Sequence, residues 1–389
     1  MRGMTRRLAA AIATGLLALT AAHADITRYS GVAAPDWTAM FERTSGWTGA
    51  DGVYTFPLAG DDSLGSGAHQ GTFWIFSDTF VGNVDANGKR LAGTVMVNNT
   101  SATMQGAVPG PGVLDFHVRT DDGGHPVSMV VPPQPSTWYW PADGLVQGGT
   151  VTMSALRMKT GNGGAFNFAV DGVAWLQASS QDAVPFAGSY TVTDAPQLYH
   201  AAPVDGSTGD MTFGTAVMPL TTGAHAPKPD GYVYVYGTRN DASKQLLVSR
   251  VKPAYLLQPG SYRYWNGKQW VADIGKARPM TDRLSSEFSV TPLPDGRYLL
   301  VFQLDALSKT IAVRYGSSPT GPWGAPIPVW DCPEAGMTKN TYVYNAKAHP
   351  HLSTNGQLLI SYHVNTFKFA ENMNKADIYH PRFITVNLN

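Results

Sequence analysis

The sequence predicts an all-β protein, and its composition provides the main reasons. Of its 389 residues, 43% are hydrophobic and only 14% are charged, so the chain can bury a large core and is not expected to be disordered. It contains 41 glycines and 27 prolines, which favour turns. No long stretch repeats apolar residues with the 3.6-residue period of a helix. Short strands joined by glycine- and proline-rich turns are typical of β-sandwiches and barrels.

The first 24 residues are expected to be a secretory signal peptide. Residues 2–7 contain three arginines, residues 8–22 are mainly apolar, and residues 22–24 read Ala-His-Ala, an A-x-A cleavage pattern. About 15 apolar residues are short for a bilayer span of roughly 20, so cleavage after Ala24 is expected rather than anchoring. We therefore expect a secreted or periplasmic bacterial protein, monomeric and without a membrane span, with residues 25–389 forming one domain.

Charge and cysteine content exclude several functions. Lys plus Arg and Asp plus Glu both number 28, and a formal charge of zero argues against a broad electrostatic grip on nucleic acid. Cys332 is the only cysteine, so the sequence has no cysteine cluster for zinc. We expect Cys332 to be a buried thiol rather than a nucleophile.

Five similar segments recur along the chain, each led by glycine and rich in aromatic or β-branched residues. This composition predicts strands. The segments are Gly71–Phe80, Gly149–Met158, Gly231–Thr238, Gly296–Leu304 and Gly356–Val364. A shorter segment with a small or polar centre precedes each strand, and these centres lie at Asp51, Asp143, Phe213, Glu287 and His349.

This repeat predicts a five-bladed β-propeller in a single domain. The spacing of the segments exceeds the roughly 40–50 residues of familiar propeller repeats, but insertions stretch such repeats. The interval 83–135, rich in Gly, Pro, Asp and Asn, is interpreted as one insertion. Five blades of about four strands fit the length. Two separate sandwich domains are the alternative.

The channel of such a propeller would bring several titratable residues together. The innermost strand of each blade lines the channel, so Asp51, Asp143, Glu287 and His349 are expected to converge. Glycoside hydrolysis needs one group to protonate the leaving oxygen and another to activate water or attack carbon. We assign Asp51 as base or nucleophile, Glu287 as proton donor and Asp143 as the charge that raises the donor's pKa. The plainer interpretation of each Asp-Gly pair is a turn.

Aromatic and polar neighbours are candidates for binding a sugar. Flat aromatic rings are suited to stacking on sugar rings, and the candidates near the Asp-Gly pairs are Trp47, Trp138 and Trp140. Asp78 is expected either to bind substrate or to cap a loop. Tyr344, Asn345 and His349 are expected to hold substrate hydroxyls. No metal-ligand spacing is diagnostic, so no metal or cofactor is expected, with a structural ion on the axis left as an alternative.

Several motifs also resemble known families. Ser317–Trp323 resembles a turn of the five-bladed propeller glycosidases of glycoside hydrolase family 43. GADG at 49–52, WIFSDTF at 74–80 and the Y-N-x-K-x-H-P segment at 344–350 are together similar to secreted bacterial proteins grouped as domains of unknown function of the 4185 and 5005 types. Some proteins of the 4185 type are classed as endo-D-arabinanases of glycoside hydrolase family 183.

The resemblance runs from Trp47 to the C-terminus. It implies a five-bladed propeller with acidic residues in an axial pocket. Asp51 matches the first-blade carboxylate and Glu287 a later-blade general acid, whereas the motif of Asp143 matches no family signature. Sequence therefore predicts a glycoside hydrolase acting on a furanose- or pentose-containing polysaccharide such as arabinan. The alternatives are a non-catalytic carbohydrate-binding propeller and a surface module that binds protein.

Overall fold

The computed structural model describes residues 25–161, 167–195, 197–204, 207–354 and 356–388. The signal peptide predicted for residues 1–24 lies outside the described residues. Antiparallel strands dominate the described part, which confirms the all-β class. In these ranges, none of the helices combines the length and the apolar character that crossing a membrane requires.

The first third of the chain forms one large sheet and two small ones. β1 (Val32–Ala33) is followed by α1 (Pro35–Ala39) and β2 (Ser45–Ala50). The next strands are β3 (Tyr54–Pro57), β4 (Gly71–Phe76), β5 (Thr79–Asn83), β6 (Val95–Val97), β7 (Thr100–Gln105), β8 (Leu114–His117), β9 (Arg119–Thr120) and β10 (Pro126–Val127). The first large sheet has the order β3-β4-β7-β8, while β2-β5-β6 and β9-β10 are the small sheets. Residues 83–135 are therefore only partly an insertion, because β7 and β8 complete the first large sheet.

The second and third large sheets follow in sequence. The second is β11 (Thr137–Gln147), β12 (Thr150–Thr160), β13 (Phe168–Ser179) and β14 (Thr191–Ala195), in that order. The third has six strands in order, β15 (Leu198–Tyr199), β16 (Met211–Leu220), β17 (Tyr232–Arg239), β18 (Gln245–Val251), β19 (Arg263–Trp265) and β20 (Trp270–Val271).

The fourth and fifth large sheets complete the described chain. The fourth is β21 (Phe288–Pro292), β22 (Tyr298–Gln303), β23 (Thr310–Gly316) and β24 (Ile327–Asp331). The last elements are β25 (Thr341–Ala348), β26 (Gln357–Thr366), α2 (Phe369–Asn374) and β27 (Arg382–Asn387), and the fifth sheet has the order β1-β27-β26-β25. Short 3-10 turns span Ser66–His69, Pro253–Tyr255, Pro259–Ser261, Ile274–Lys276, Pro333–Gly336, Pro350–Leu352 and Ala376–Ile378.

Each of the five glycine-led segments contains a strand, namely β4, β12, β17, β22 and β26. The first segment, Gly71–Phe80, breaks after Phe76, and its last two residues begin β5 of a different sheet. Each of the five strands pairs with the strand just before it, and these preceding strands, β3, β11, β16, β21 and β25, contact one another in chain order. Five apolar clusters fill the spaces between neighbouring sheets. One of them packs Trp74 of the first sheet against Leu359 and Phe383 of the fifth, so the fifth sheet returns to the first.

Cys332 lies in the cluster between the fourth and fifth sheets and is 2% exposed. It is a free thiol, as predicted, and burial raises its pKa well above the ordinary value. A thiol that resists ionisation is a poor nucleophile, so its role is packing.

Candidate functional site

Three neighbouring residues of β25 hold two of the predicted catalytic carboxylates. The pairing of β25 with β26 shifts between Tyr344 and Lys347, and Asn345 has a φ of +60°. Tyr344 Oη donates to Asp51 Oδ2 at 2.6 Å, and Asn345 Nδ2 donates to Glu287 Oε1 at 2.8 Å. Lys347, which is 2% exposed, forms an ion pair with the other oxygen of Glu287. The bulge therefore joins Asp51 and Glu287 in one site, as predicted for this pair.

Close packing fixes Asp51 between β2 and β3. Its backbone N–H donates to the carbonyl of Asp78, and its own carbonyl accepts from the N–H of Ser77. Gly52 follows with a φ of +58°, and a Cβ there would lie 2.3 Å from Ser77 Oγ. Because only glycine fits at that point, the Asp-Gly pair serves to bring Asp51 against residues 77–78.

The surroundings of Asp51 raise its pKa, so its carboxyl group stays protonated to a higher pH than usual. Burial, followed by the charges of Asp78 and Glu287, raises the pKa of Asp51 to about 7. Hydrogen bonds from Tyr344 and Tyr379 oppose that shift only in part. A carboxyl group with this pKa can both give and take a proton near neutral pH, which suits acid–base chemistry.

Asp78 connects this site to the second sheet. Its Oδ1 accepts a hydrogen bond from Trp140 Nε1 at 3.0 Å and another from Asn98 Nδ2 at 3.2 Å. Burial raises the pKa of Asp78 to about 6, although both hydrogen bonds act in the opposite direction. Asp78 thus acts on Asp51 through its charge while also fixing the indole of Trp140.

Asp143, the third predicted catalytic carboxylate, has a different environment from Asp51 and Glu287. It lies at a bulge of β11, and its oxygens accept from the N–H groups of Gly144 and Val217, both at 2.8 Å. Burial raises its pKa to about 7, and the nearby ammonium of Lys347 partly offsets this shift. A Cβ at Gly144 would lie 2.1 Å from the carbonyl of Thr152, so this Asp-Gly pair marks a bulge rather than a turn.

Two groups of aromatic rings adjoin the residues that bond the carboxylates. Trp140, which bonds Asp78, contacts Trp138 and Phe168, with ring centroids 6.3 Å and 4.6 Å apart. The ring of Tyr342 lies 5.2 Å from that of Tyr344, which bonds Asp51, and 4.4 Å from Phe367. Trp138, Trp140 and Tyr342 are half-buried, and Phe168 is exposed. Such faces can stack on sugar rings.

Two predicted binding residues belong to the core, and those predictions are wrong. Trp47 is 1% exposed and packs among Phe41, Phe76 and Phe116, so no ring face is open to a sugar. His349 is 1% exposed. Its two ring nitrogens are already bonded to Thr55 Oγ1 at 2.9 Å and Ser361 Oγ at 2.7 Å. Burial lowers the pKa of His349, so it is a neutral structural histidine.

Three residues of the site escaped the sequence prediction. Lys347 lies two positions from Asn345, and alternation along a strand could have suggested that both face the same side. Tyr54, whose ring lies 4.2 Å from Lys347 Nζ, follows Asp51 by three residues and gave only a strand signal. Tyr379 comes from the loop after α2, and nothing in the sequence linked it to Asp51. Among the described residues, no group of three or more His, Cys, Asp or Glu side chains could hold a metal ion.

Comparison with known proteins shows the fold and the family. No curated protein matches the chain. A candidate hydrolase from Bacteroides ovatus ATCC 8483 is 19% identical, with a TM-score of 0.69 over 91% of this chain and 89% of that one, and it shares the fold. Levansucrase from Bacillus subtilis (10% identity, TM-score 0.48, 90% and 87% covered) and the GH43_1 enzyme from Xanthomonas citri (14%, 0.40, 86% and 90%) are more remote. A sequence family described as a domain of unknown function matches residues 35–388, and the chain therefore belongs to this family, DUF5005.

Proposed function

We propose that the protein is a glycoside hydrolase that cleaves a furanose- or pentose-containing polysaccharide, such as arabinan, with carboxylates at the axis of a five-bladed propeller. The observation that carries the proposal is the placement of Asp51 and Glu287. Asp51 lies between β2 and β3, and Glu287 immediately precedes β21 of the fourth sheet. Both are held by adjacent residues of the fifth sheet, Tyr344 and Asn345. The substrate class rests on the motif resemblance.

The ring of sheets supports the propeller. The five large sheets follow in chain order, their inner strands contact one another, and an apolar cluster lies between each neighbouring pair. In this interpretation residues 25–389 form one propeller domain, and the third sheet forms a blade with two strands more than each of the others.

The contacts support a reversal of the roles expected from sequence. Asp51, with its pKa raised to about 7, retains a proton for the glycosidic oxygen. Glu287 accepts from Asn345 and pairs with Lys347, so it is suited to accept a proton from water or to attack the anomeric carbon. Asp78, whose charge raises the pKa of Asp51, takes the part first assigned to Asp143.

One step of hydrolysis then needs both groups. Asp51 gives its proton to the glycosidic oxygen as the bond from that oxygen to the anomeric carbon breaks. Glu287 acts on the opposite face of the sugar, either directly or through a water whose proton it accepts. Trp138, Trp140 and Tyr342 would stack on the rings next to the cleaved bond.

A panel of glycans tests the proposal. Arabinan, arabinogalactan, xylan and fructan are incubated with the protein, and the released sugars are analysed. We expect Asp51→Asn and Glu287→Gln each to lower turnover of the cleaved glycan at least about a hundredfold, because each removes proton transfer or nucleophilic attack. The matched surface variants Asp122→Asn and Glu42→Gln should retain full turnover. Unchanged turnover in both site variants, with circular dichroism showing intact folds, would contradict the assignment.

A non-catalytic carbohydrate-binding protein is the second candidate. The observation that favours it is the ion pair of Glu287 with the buried Lys347, because a carboxylate held this way can be purely structural. Binding of a glycan without release of sugar, unaffected by Asp51→Asn and Glu287→Gln, would support this alternative over hydrolysis.

We also propose that the protein is exported and acts as a monomer. Cleavage after Ala24 would remove three arginines and leave three more acidic than basic residues. N-terminal sequencing of protein recovered outside the cytoplasm should begin at Asp25, and light scattering should give the mass of one chain. Recovery of the uncleaved chain, or of a dimer, would contradict this proposal.

A further inference from the structure

A cluster of cations lies at the outer edge of the third sheet, away from the candidate site. Residues 250–278 contain six basic residues and one acidic residue, in a chain whose overall charge is balanced. The basic residues are Arg250, Lys252, Arg263, Lys268, Lys276 and Arg278. All except Arg250 are exposed, and Arg250 is half-buried. We call these six residues the basic edge.

Among the described residues, most of this charge has no acidic partner. Lys276 lies 3.8 Å from Asp273. Across the ranges that the structure describes, the other five basic side chains form no ion pair within 4.0 Å. Arg263 and Arg278 donate only to nearby backbone carbonyls. The edge is therefore an unbalanced positive surface.

The register of the strands places two of these charges side by side. Arg250 of β18 is directly opposite Arg263 of β19. Like charges in directly opposed positions destabilise a sheet, and an anion bound beside the two arginines would offset that cost.

Aromatic rings hold Arg250 in a fixed position on the same edge. Its guanidinium carbon lies 4.2 Å from the ring centroid of Tyr232 and 4.3 Å from that of Trp270. Its Nε is buried and has no hydrogen-bond partner among the described residues. Trp265 is paired across β19 and β20 with Trp270, with ring centroids 5.3 Å apart. Stacking already restricts the side-chain conformations of Arg250 in the free protein, so less side-chain entropy is lost when Arg250 binds a carboxylate.

We propose that the basic edge binds an acidic polysaccharide, one whose sugars carry carboxylate groups. The cations without acidic partners match the carboxylates, and the half-buried Trp265 and Trp270 each leave part of their ring surface exposed beside them for contact with a sugar. This site is separate from Asp51 and Glu287, so the proposal does not depend on hydrolysis. The basic edge would bind the polymer at a point outside the axial site.

Binding to polygalacturonate tests the proposal, with its fully methyl-esterified form as the uncharged probe. We expect polygalacturonate to bind and the ester not to bind. Raising NaCl from about 0.01 M to about 0.15 M, which shortens the Debye length from about 30 Å to about 8 Å, should weaken binding. The triple variant Lys252→Gln, Arg263→Gln, Lys268→Gln should bind at least about tenfold more weakly.

The matched control removes the same charge elsewhere. Arg28→Gln, Lys89→Gln and Lys375→Gln together should change the affinity less than about twofold, because these exposed residues lie outside the basic edge. An equal loss in both triple variants would show diffuse attraction and overturn the proposal. Failure to bind polygalacturonate would overturn it too, as would equally tight binding of poly-glutamate or duplex DNA, since neither carries acidic sugars.

Discussion

Asp51 and Asp78 share a part of the site where two negative charges are costly. Burial raises the pKa of both, and the charge of Asp78 raises that of Asp51 further. Two interacting carboxyl groups titrate as a pair, so the pair can retain one proton near neutral pH. Tyr344, Asn98 and Trp140 fix the geometry of the pair by hydrogen bonds.

Replacing Asp78 by asparagine should change the pH dependence of hydrolysis. The amide oxygen can still accept from Trp140 and Asn98, but the charge that raises the pKa of Asp51 is lost. If Asp51 is the proton donor, kcat/KM falls as pH rises through its pKa. The falling limb should then move to lower pH by about half to one unit, because removing a like charge lowers a carboxyl pKa. The measurement is the pH profile of kcat/KM for this variant, with Asp122→Asn as the control. If the falling limb stays at the same pH, the charge of Asp78 does not set the pKa of Asp51.

Lys347 should affect both stability and activity through Glu287. Lys347→Met leaves Glu287 without its cation, and we expect the free energy of unfolding to fall by about 2 kcal/mol, less than for a fully buried pair because Glu287 is partly exposed. In a Glu287→Gln background the same change should cost much less. A double-mutant cycle by urea denaturation measures this coupling, and additive effects would show that the pair contributes nothing.

Some of these residues could be predicted from the sequence and others could not, and the difference has a physical reason. Asp51 and Glu287 precede strong strand segments, and their convergence follows from the topology alone. Trp47 and Trp138 look alike in sequence, since each lies a few residues before an Asp-Gly pair. Packing against Phe76 and Phe116 places Trp47 in the core, and such long-range contacts leave no mark in the local pattern.

At the scale of single elements, the bulge in β25 organises the site. A regular strand would alternate its side chains between the two faces, whereas the shift between Tyr344 and Lys347 breaks that alternation. Asn345 has the left-handed backbone that the bulge requires, and asparagine tolerates it better than most residues.

Two substitutions at Asn345 separate its backbone role from its side-chain role. Both Asn345→Gly and Asn345→Ala remove the donor to Glu287, so we expect both to lower activity by a similar factor. Only alanine adds the strain of a positive φ, which should make it about 1 kcal/mol less stable than the glycine variant. Activity assays and urea midpoints measure the two effects. Full activity in the glycine variant would show that the side chain does not act on Glu287.

The elements were more predictable than the contacts between them. Glycine-led, β-branched runs gave one strand in every large sheet, because strand propensity and turns are local properties. The small sheet of β2, β5 and β6 was not predicted, since its pairing depends on loops returning from distant positions. The bulge at Asn345 gave no signal in the sequence for the same reason.

At the scale of the whole molecule, the segment before α1 joins two sheets. The N–H groups of Tyr29 and Gly31 donate to the carbonyls of Pro328 and Val329 of β24, while β1 pairs with β27. This short segment therefore covers edges of both the fourth and the fifth sheets. An uncovered strand edge invites pairing with another chain, so the segment also protects against aggregation.

Gly31 tests the importance of this segment. A Cβ at Gly31 would lie 2.8 Å from the carbonyl of Val329, so Gly31→Ala should push the segment away and lower the free energy of unfolding by about 1 kcal/mol or more. Gly223→Ala is the matched control, because nothing lies within 4 Å of a Cβ there. Urea midpoints compare the two variants. Equal midpoints would show that the contact with the fourth sheet adds no stability.

The pairing of β1 with β27 also affects the order in which the protein folds. Val32 pairs with Thr385, so the fifth sheet acquires its outer strand only after nearly the whole described chain is present. Contacts between such distant residues form late, because the chain must first lose the entropy of closing a very long loop. During synthesis, the N-terminal segment emerges first and must wait for its partner. If the chain is exported as we propose, it would stay incompletely folded during the passage, and β1 would pair with β27 only on the far side of the membrane.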